Sequence, residues 1–375
     1  MVCPIVWLVV RKVAVCLRLA NLLAMRFIGT LIEKLQRHPK RIVFPEGAEP
    51  RVLHAARQFH LLRLGAPILL GNQREIRETA AHLKISLDGI RIIAPEQSPE
   101  LEDFARRFRA LRRSKGMHLA DARDAMLNPN YFGAMLVALR RADGLVTGST
   151  QVSSAVLRPL SQIFKPSGQN ATVAGCMIVE FENTRFGENG VLFLADCDVN
   201  PDPKVEQLAD IAVSTAHLAR HLLGVRPRVA LLSFSTKDPN PHRAAGKVQA
   251  ATALAAQKAR QQGLSADFDG ELQADAAIVP EIASVKAPSS KVAGRANVLI
   301  FPDLASGSIA SKLIRQVAHA NAYGHILLGF DRPAADVSRG SSAHDILGVA
   351  IIVGIQAITY NELYLREDHQ FPAVK

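Results

Sequence analysis

The feature that most constrains the fold is the alternation of short apolar segments with amphipathic segments along the chain. Residues 41–44 and 66–71 read as buried strands, and residues 50–64 between them read as a helix with Pro50 in its first turn. Further strands are predicted at residues 143–148, 191–196, 228–234 and 297–303. Strands that alternate with helices in this way favour a parallel or mixed sheet covered on both faces. The sequence therefore predicts an α/β fold.

Hydrophobic periodicity and residues typical of helix ends predict further helices. They are expected at residues 26–36, 101–115, 204–223 and 343–358. Gly116 stands where a glycine belongs at a helix carboxyl terminus. Because a chain of 375 residues is too long for one small core, two α/β domains are expected.

The net charge and the aromatic content of the chain limit the kinds of binding partner that are expected. The formal net charge is +11, but the basic residues are scattered apart from residues 106–109 and 112–113. A solvated helix face explains that run as well as a binding site does. Four Tyr and one Trp do not supply a base-stacking surface. Nucleic acid is therefore not an expected partner, whereas a cleft for small polyanions would use surplus Arg and Lys.

The cysteine pattern bears on metal binding and on compartment. Cys3, Cys16, Cys176 and Cys197 form no CxxC pair, and none lies near a histidine at zinc spacing. This predicts no metal site and a reduced, cytoplasmic compartment.

The amino terminus is unusual. The apolar run at residues 2–10 is too short to span a bilayer, which takes ~20 residues. Its basic residues follow the run, whereas a secretory signal places them before it. We therefore expect no membrane association, and we interpret residues 1–24 as a non-core extension before a true start at Met25. A peripheral amphipathic helix is the alternative interpretation.

The segment DVSRGSSAHD at residues 336–345 is the strongest local candidate for a site. A glycine-containing loop leads into a helix, and a helix amino terminus offers free N–H groups to an anion. Arg339 could hold two phosphate oxygens, and Ser338 could donate a hydrogen bond to a phosphoryl or carbonyl oxygen. The purely structural interpretation is a capping box formed by Ser342 and Asp345, with Arg339 as a surface residue.

Two other arginines have ordinary interpretations when taken alone. Arg112 falls in the last helical turn before Gly116, where a cation complements the helix dipole. Arg158 precedes Pro159, which predicts extended or turn geometry facing water.

Around residues 336–345 the chain resembles the phosphate acetyltransferase family, whose signature has the form N-D-L-S-R-G-x-S-x-x-D. The resemblance runs from about Met25 to about Ile358. It rests on DGELQADAAIVP (269–280), KAP (286–288) and VAGRANVLIFPD (292–303), with the shorter pieces FPE (44–46), LRRSKG (111–116), DGLVTG (143–148), LRP (157–159) and LSFSTK (232–237).

The resemblance implies a two-domain, three-layer α/β/α fold similar to that of the isocitrate and isopropylmalate dehydrogenases, with the active site in the interdomain cleft. Domain I would combine residues 25–168 with residues 326–365. Domain II would be an insertion at residues 169–325, and residues 366–375 would form a tail. The family is typically homodimeric, so a homodimer is expected.

The resemblance also implies a reaction, the reversible transfer of an acetyl group between acetyl-CoA and phosphate, which gives acetyl phosphate and CoA. Asp345 falls on the family carboxylate that takes the proton of the CoA thiol. Ser338 and Arg339 fall on the paired serine and arginine of the signature, and Arg112 and Arg158 fall on two further active-site arginines. The thiolate is the nucleophile and the leaving phosphate is anionic, so a carboxylate beside arginines suits this chemistry. No metal or redox cofactor is implied, since coenzyme A is a substrate.

Five positions depart from the family pattern. Gln151 and Ala155 replace a His and an Asp, Ala335 replaces the Asn before the signature, and Ser308 and Ser311 replace an Asn and a Tyr. These changes bear on acyl-chain preference and rate more than on reaction class. Two alternatives stay open: a phosphate butyryltransferase, and a non-catalytic acetyl-CoA-sensing domain such as the one fused to some malic enzymes.

Overall fold

The computed structural model describes residues 26–168, 171–239 and 242–364. These residues form thirteen α-helices and eleven strands, which confirms the predicted α/β class. The predicted extension at residues 1–24 and the predicted tail at residues 366–375 lie outside the described residues.

The first part of the chain alternates strands and helices as the sequence predicts. Its elements are α1 (Arg26–Arg37), β1 (Lys40–Phe44), α2 (Pro50–Leu61), β2 (Gly65–Leu70), α3 (Gln73–Leu83), β3 (Arg91–Ile93), α4 (Leu101–Leu111), α5 (Leu119–Leu127), α6 (Pro129–Ala138), β4 (Gly144–Thr147) and α7 (Ser153–Ile163). The helix predicted at residues 101–115 ends as an α-helix at Leu111 and tightens into a 3-10 turn, Arg113–Lys115. Gly116 follows with φ 73°, which confirms the predicted glycine cap.

The remaining elements continue the alternation. They are β5 (Ala174–Glu180), β6 (Val191–Ala195), α8 (Val205–Leu223), β7 (Arg228–Leu232), α9 (Arg243–Gln261), β8 (Asp267–Leu272), α10 (Ala274–Ile278), α11 (Pro280–Lys286), β9 (Val298–Ile300), α12 (Leu304–Val317), β10 (Asn321–Leu328), β11 (Ala334–Asp336) and α13 (Ala343–Tyr364). Residues 345–358 of α13 are buried apart from the half-buried Gln356, as expected for a helix that is apolar on all sides.

All eleven strands join one sheet in the order β3-β2-β1-β4-β11-β10-β5-β6-β9-β7-β8. The first five strands run parallel to one another, and so do the last four. We call these the first and the second strand group. Between them, β10 and β5 pair antiparallel to each other and to the neighbouring groups.

The strand registers bring the carboxyl ends of the two groups to the same level. Ala335 near the end of β11 pairs with Ile326, and Ile326 pairs with Cys176 of β5. Leu194 near the end of β6 pairs with Met177, the next residue of β5. The loops that follow both groups therefore meet near the middle of the β5–β10 pair. Such carboxyl-end crevices are the usual ligand sites of α/β sheets.

Helices cover both faces of the sheet. Successive residues of a strand point to opposite faces, and each face is buried in its own hydrophobic core. On one face a single core extends across both groups and packs against α1, α2, α3, α8, α9 and α13. On the other face α4 to α7 cover the first group, and α10 and α12 cover part of the second. The layered arrangement agrees with the prediction. The division into two domains stays a prediction, and its boundary at residues 325 and 326 falls inside β10.

The prediction of extended or turn geometry for Arg158 is wrong. Arg158 lies inside α7, directly before Pro159 in the helix. Val156 and Leu160 of this helix are buried in the core beneath it, so packing of the apolar face overrides the local preference of a residue before proline. Arg158 itself is exposed.

Candidate active site

Three loops at the carboxyl ends of the first strand group are joined by hydrogen bonds. They follow β1, β4 and β11. The carboxylate of Glu46, after β1, accepts hydrogen bonds from the backbone N–H and hydroxyl of Ser149 at 2.7 and 2.5 Å. It also accepts them from the N–H and hydroxyl of Thr150 at 2.8 and 2.5 Å. The β4 loop is thereby fixed to the β1 loop.

Arg51, at the start of α2, fixes the third loop. Its Nη1 donates to the carbonyl oxygens of Arg339 and Ser341 at 2.7 and 2.9 Å, and its Nη2 donates to the carbonyl of Ser149 at 2.8 Å. Sequence reasoning missed this residue. Its partners lie up to 290 residues away, and no local pattern marks an arginine that binds backbone carbonyls.

The signature segment forms the turn that leads into α13. The backbone N–H of Ser342 donates to Asp345 Oδ2 at 2.7 Å, and the N–H of Asp345 donates to Ser342 Oγ at 3.1 Å. This reciprocal pair confirms the predicted capping box. The turn closes through the N–H of Ser341, which donates to the carbonyl of Ser338 at 2.8 Å.

Asp345 also forms an ion pair that the sequence did not reveal. Arg315 of α12 donates from Nη2 to Asp345 Oδ2 at 2.7 Å and to the carbonyl oxygen of Gly340 at 3.2 Å. An arginine in the last turn of a helix is ordinarily explained by the helix dipole, so only the tertiary structure could reveal this contact.

Ser338 and Arg339 present their side chains beside this capped terminus. Ser338 is half-buried, and its Oγ accepts a weak hydrogen bond from the N–H of Gly340 at 3.3 Å. Arg339 is exposed, and its guanidinium bonds to no other described residue. Ser338 and Arg339 thus lie in the loop before α13, and Asp345 lies in the first turn of that helix.

The two remaining predicted arginines lie on other elements. Arg112 caps α4 directly after its last residue, Leu111, and the Arg112 Nε is buried without a hydrogen-bond partner among the described residues. Arg158 projects from α7 as an exposed side chain. In the described structure, no hydrogen bond or ion pair joins either guanidinium to the signature turn, so their part in the site stays a prediction.

A buried acidic cluster lies directly before the turn. Ser153 Oγ donates to Asp198 Oδ1 at 2.9 Å, and His325 Nδ1 lies 3.5 Å from the same oxygen. Burial, followed by the charge of Asp198, raises the pKa of Asp336 to about 8. Burial lowers the pKa of His325. This cluster links the loops after β4 and β6 and the end of β11.

The departures from the family pattern occupy defined positions. Gln151 Oε1 accepts from Asn130 Nδ2 at 2.8 Å, and Asn130 Oδ1 accepts from Thr147 Oγ1 at 2.8 Å. Ala155 is exposed on α7, whereas Ala335 is fully buried in β11. On α12, Ser308 bonds Lys312, and Ser311 is buried.

Residues 26–168, 171–239 and 242–364 contain neither a cluster of metal-binding side chains nor a membrane-spanning helix. No group of His, Cys, Asp or Glu there could hold a metal ion. No helix in these ranges has both the length and the apolar character needed to cross a bilayer.

The fold is that of an α/β protein, and the candidate site lies where ligand sites of such sheets usually lie, at the carboxyl ends of the strands. A profile of the family described as "Phosphate acetyl/butaryl transferase" matches residues 26–354. A phosphate acetyltransferase of Thermoanaerobacterium thermosaccharolyticum is 46% identical over 335 residues, which cover 89% of this chain and 100% of the relative. The phosphate acetyltransferase of Acetivibrio thermocellus is 41% identical over 333 residues, with 89% and 98% covered.

A solved structure gives the same result. The crystal structure of a phosphotransacetylase from Streptococcus pyogenes superposes with a TM-score of 0.80 and 39% identity, covering 89% of this chain and 98% of that chain. The chain belongs to the phosphate acetyl/butyryl transferase family and is a transferase.

Proposed function

We propose that the protein is a phosphate acetyltransferase that catalyses acetyl-CoA + phosphate = acetyl phosphate + CoA. The observation that carries the proposal is the state of the Asp345 carboxylate. Its Oδ2 accepts both the Ser342 N–H and Arg315 Nη2, whereas Oδ1 accepts no hydrogen bond from a described residue. Oδ2 thus holds two hydrogen bonds within the protein, and Oδ1 is left to accept a proton from a substrate.

The proposed step in the direction of thioester synthesis uses these groups as follows. Asp345 Oδ1 takes the proton of the CoA thiol, and the thiolate sulfur bonds to the acetyl carbonyl carbon of acetyl phosphate. The bond from that carbon to the phosphate oxygen breaks, and phosphate leaves with the electron pair. Ser338 donates a hydrogen bond to the reacting carbonyl or phosphoryl oxygen.

The arginines are proposed to bind the negatively charged groups of the substrates. Arg339 has a free guanidinium beside the turn, which supports a role in binding the phosphate of acetyl phosphate. Arg112 and Arg158 are proposed to bind substrate anions, and the unpartnered buried Nε of Arg112 supports a ligand contact there. No step in this scheme needs a metal or redox cofactor.

The experiment is an assay of acetyl-CoA consumption that depends on phosphate, comparing the wild type with Asp345→Asn. Asparagine can still accept the Ser342 N–H but cannot take a proton from sulfur. We expect turnover to fall by ~10²–10⁴-fold with the fold retained. Unchanged turnover in the variant would mean that Asp345 is not the base. An inactive wild type that still binds acetyl-CoA would favour the non-catalytic sensing domain.

The butyryl activity is the second candidate, because the matching family includes both activities. A branched-chain phosphotransacylase from Enterococcus faecalis also shares the fold, with a TM-score of 0.61 at 18% identity. Comparing kcat/KM for acetyl and butyryl phosphate separates the two. We expect acetyl phosphate to be preferred, and a preference for the longer chain would reverse the assignment.

We also propose a homodimer. Ile309, Leu313 and Val317 are spaced by four residues on α12 and are 61%, 57% and 76% exposed. An apolar stripe on one side of a helix supports contact with a second copy. Analytical ultracentrifugation should find a dimer for the wild type and a monomer for the double variant L313E/V317E. A monomeric wild type would contradict the proposal.

A further inference from the structure

Arg315 joins the second strand group to the signature turn of the first. It lies on α12, whose partly buried Ala310 and Ile314 pack against the core of the second group. Asp345 lies in the first turn of α13, which packs mainly on the first group. The Arg315 Nη2 to Asp345 Oδ2 distance is 2.7 Å, and the two side chains are only 19% and 8% exposed. An ion pair this shielded is screened by salt much less than a surface pair.

The ion pair and the helix cap bind the same oxygen of the Asp345 carboxylate. Both the Arg315 guanidinium and the Ser342 N–H bind Oδ2, and together they restrict rotation of the carboxylate about its χ2 bond. Oδ1 accepts no hydrogen bond from a described residue. A capping box alone would hold Oδ2 by a single hydrogen bond.

The same guanidinium nitrogen also holds the turn itself. Arg315 Nη2 donates to the carbonyl oxygen of Gly340 at 3.2 Å. Gly340 directly follows Arg339 in the chain. From the other side of the turn, Arg51 binds the carbonyls of Arg339 and Ser341. The backbone that carries Ser338 and Arg339 is therefore held between two arginines from different elements.

The other ionisable groups near the carboxylate do not supply a competing cation. Burial lowers the pKa of His344, next to Asp345 on α13, so its imidazole is neutral near pH 7. Burial also raises the pKa of Tyr323 on β10, so its phenol is neutral as well. Within the described ranges, Arg315 is the cation at ion-pair distance from Asp345.

We infer that Arg315 is a positioning residue for the transfer reaction: it orients the Asp345 carboxylate and the Ser338–Arg339 turn from across the sheet without touching substrate. This inference rests on the proposed function, in which Asp345 is the base. Because Arg315 approaches from the second strand group, the base is correctly oriented only while the loops of the two groups are in contact.

The test compares Arg315→Gln and Arg315→Lys with a matched control, Arg226→Gln. Arg226 forms an Arg–Asp pair of the same 2.7 Å length with Asp267, at the start of β8 and away from the turn. We expect kcat of R315Q to fall by about 10²-fold with little change in the KM of acetyl phosphate. R315K should recover part of the loss, because an ammonium restores the charge but not the second hydrogen bond.

The split between kcat and KM separates positioning from a merely structural role. A misoriented base slows the chemical step, so R315Q should lose kcat while the KM of acetyl phosphate stays near the wild-type value, and R315K should recover part of the lost kcat. R226Q should leave both constants unchanged. An R315Q enzyme with wild-type kcat would overturn the inference.

A measurement that does not need activity keeps the inference separate from the proposed function. Amide hydrogen exchange of residues 338–345 should be faster in R315Q than in the wild type and unchanged in R226Q. If the wild type lacked acetyl transfer but amide exchange were still faster in R315Q, the proposed function would fail and the positioning contact would stand. Unchanged exchange in R315Q would overturn the positioning role whatever the activity.

Discussion

Glu46 holds Ser149 by two hydrogen bonds, one from the backbone N–H at 2.7 Å and one from the hydroxyl at 2.5 Å. Thr150 adds an equivalent pair to the other carboxylate oxygen. The four donors satisfy one carboxylate that follows β1, and they fix the loop that leads from β4 to α7. Hydrogen bonds to a charged acceptor are stronger than neutral ones, so this single side chain sets the position of the loop.

Replacing Glu46 by Gln tests that arrangement. The amide keeps one acceptor oxygen but places an NH2 group against two donors, so one pair of hydrogen bonds is lost. We expect the free energy of unfolding to fall by about 2 kcal/mol, measured by urea denaturation. The matched control is Glu78→Gln, which removes an exposed pair with Arg74 and should cost less than about 0.5 kcal/mol. Equal losses in the two variants would contradict the argument.

Local patterns were enough to predict most of the fold. The strand expected at residues 41–44 is Lys40–Phe44, and the helix expected at residues 26–36 is Arg26–Arg37. The capping box of Ser342 and Asp345 was also predictable, because both partners lie within one turn of a helix. In each case the determining interactions are close in sequence, and hydrophobic period or residue spacing records them.

The contacts that assemble the site could not be predicted in this way. Arg51 binds the carbonyl of a residue 288 positions later, and Arg315 binds Asp345 from 30 positions earlier. Neither arginine has neighbours that distinguish it from a solvated surface residue. Arg158 shows the converse error: its local preference before proline was correct as a tendency, but the buried face of α7 determines the backbone.

The raised pKa of Asp336, at about 8, predicts a specific pH dependence of stability. The unfolded chain releases this proton near pH 3.9, whereas the native state keeps it up to about pH 8. The stabilisation contributed by the proton is therefore complete below about pH 4 and is lost as the pH rises towards 8. An Asp336→Asn variant carries no such proton, so it should gain stability relative to the wild type as the pH rises, by at most about 1.4 kcal/mol per pH unit.

Urea unfolding of both proteins between about pH 5 and pH 8 measures this difference. Asp124→Asn is the control, since Asp124 is exposed. Its stability relative to the wild type should not change over the same range. Parallel stability profiles for D336N and the wild type would show that Asp336 titrates alike in both states.

The buried cysteines should be chemically inert in the native protein. Burial raises the pKa of the Cys197 thiol to about 12 and also raises that of Cys176, so neither is a thiolate near neutral pH. In a C3S/C16S variant, an aromatic disulfide reagent such as DTNB should label no thiol in the native state and two after unfolding in urea. Rapid labelling of the native variant would contradict the predicted protection.

Gly148 joins β4 to the loop that Glu46 holds, and its backbone requires a residue without a Cβ. Its φ is +101°, and a Cβ there would lie 1.9 Å from Asp336 Oδ1 and 2.7 Å from the carbonyl oxygen of Val337. Gly148→Ala must therefore adopt a strained backbone and also displace the end of β11, so we expect a loss of more than about 2 kcal/mol in the free energy of unfolding. Gly340→Ala is the matched control in the neighbouring loop, because the nearest atom to its added Cβ is Ser338 Oγ at 3.9 Å. Chemical denaturation should find G340A close to the wild type, and a G148A protein of equal stability would mean that the loop after β4 can move away from β11 at little cost.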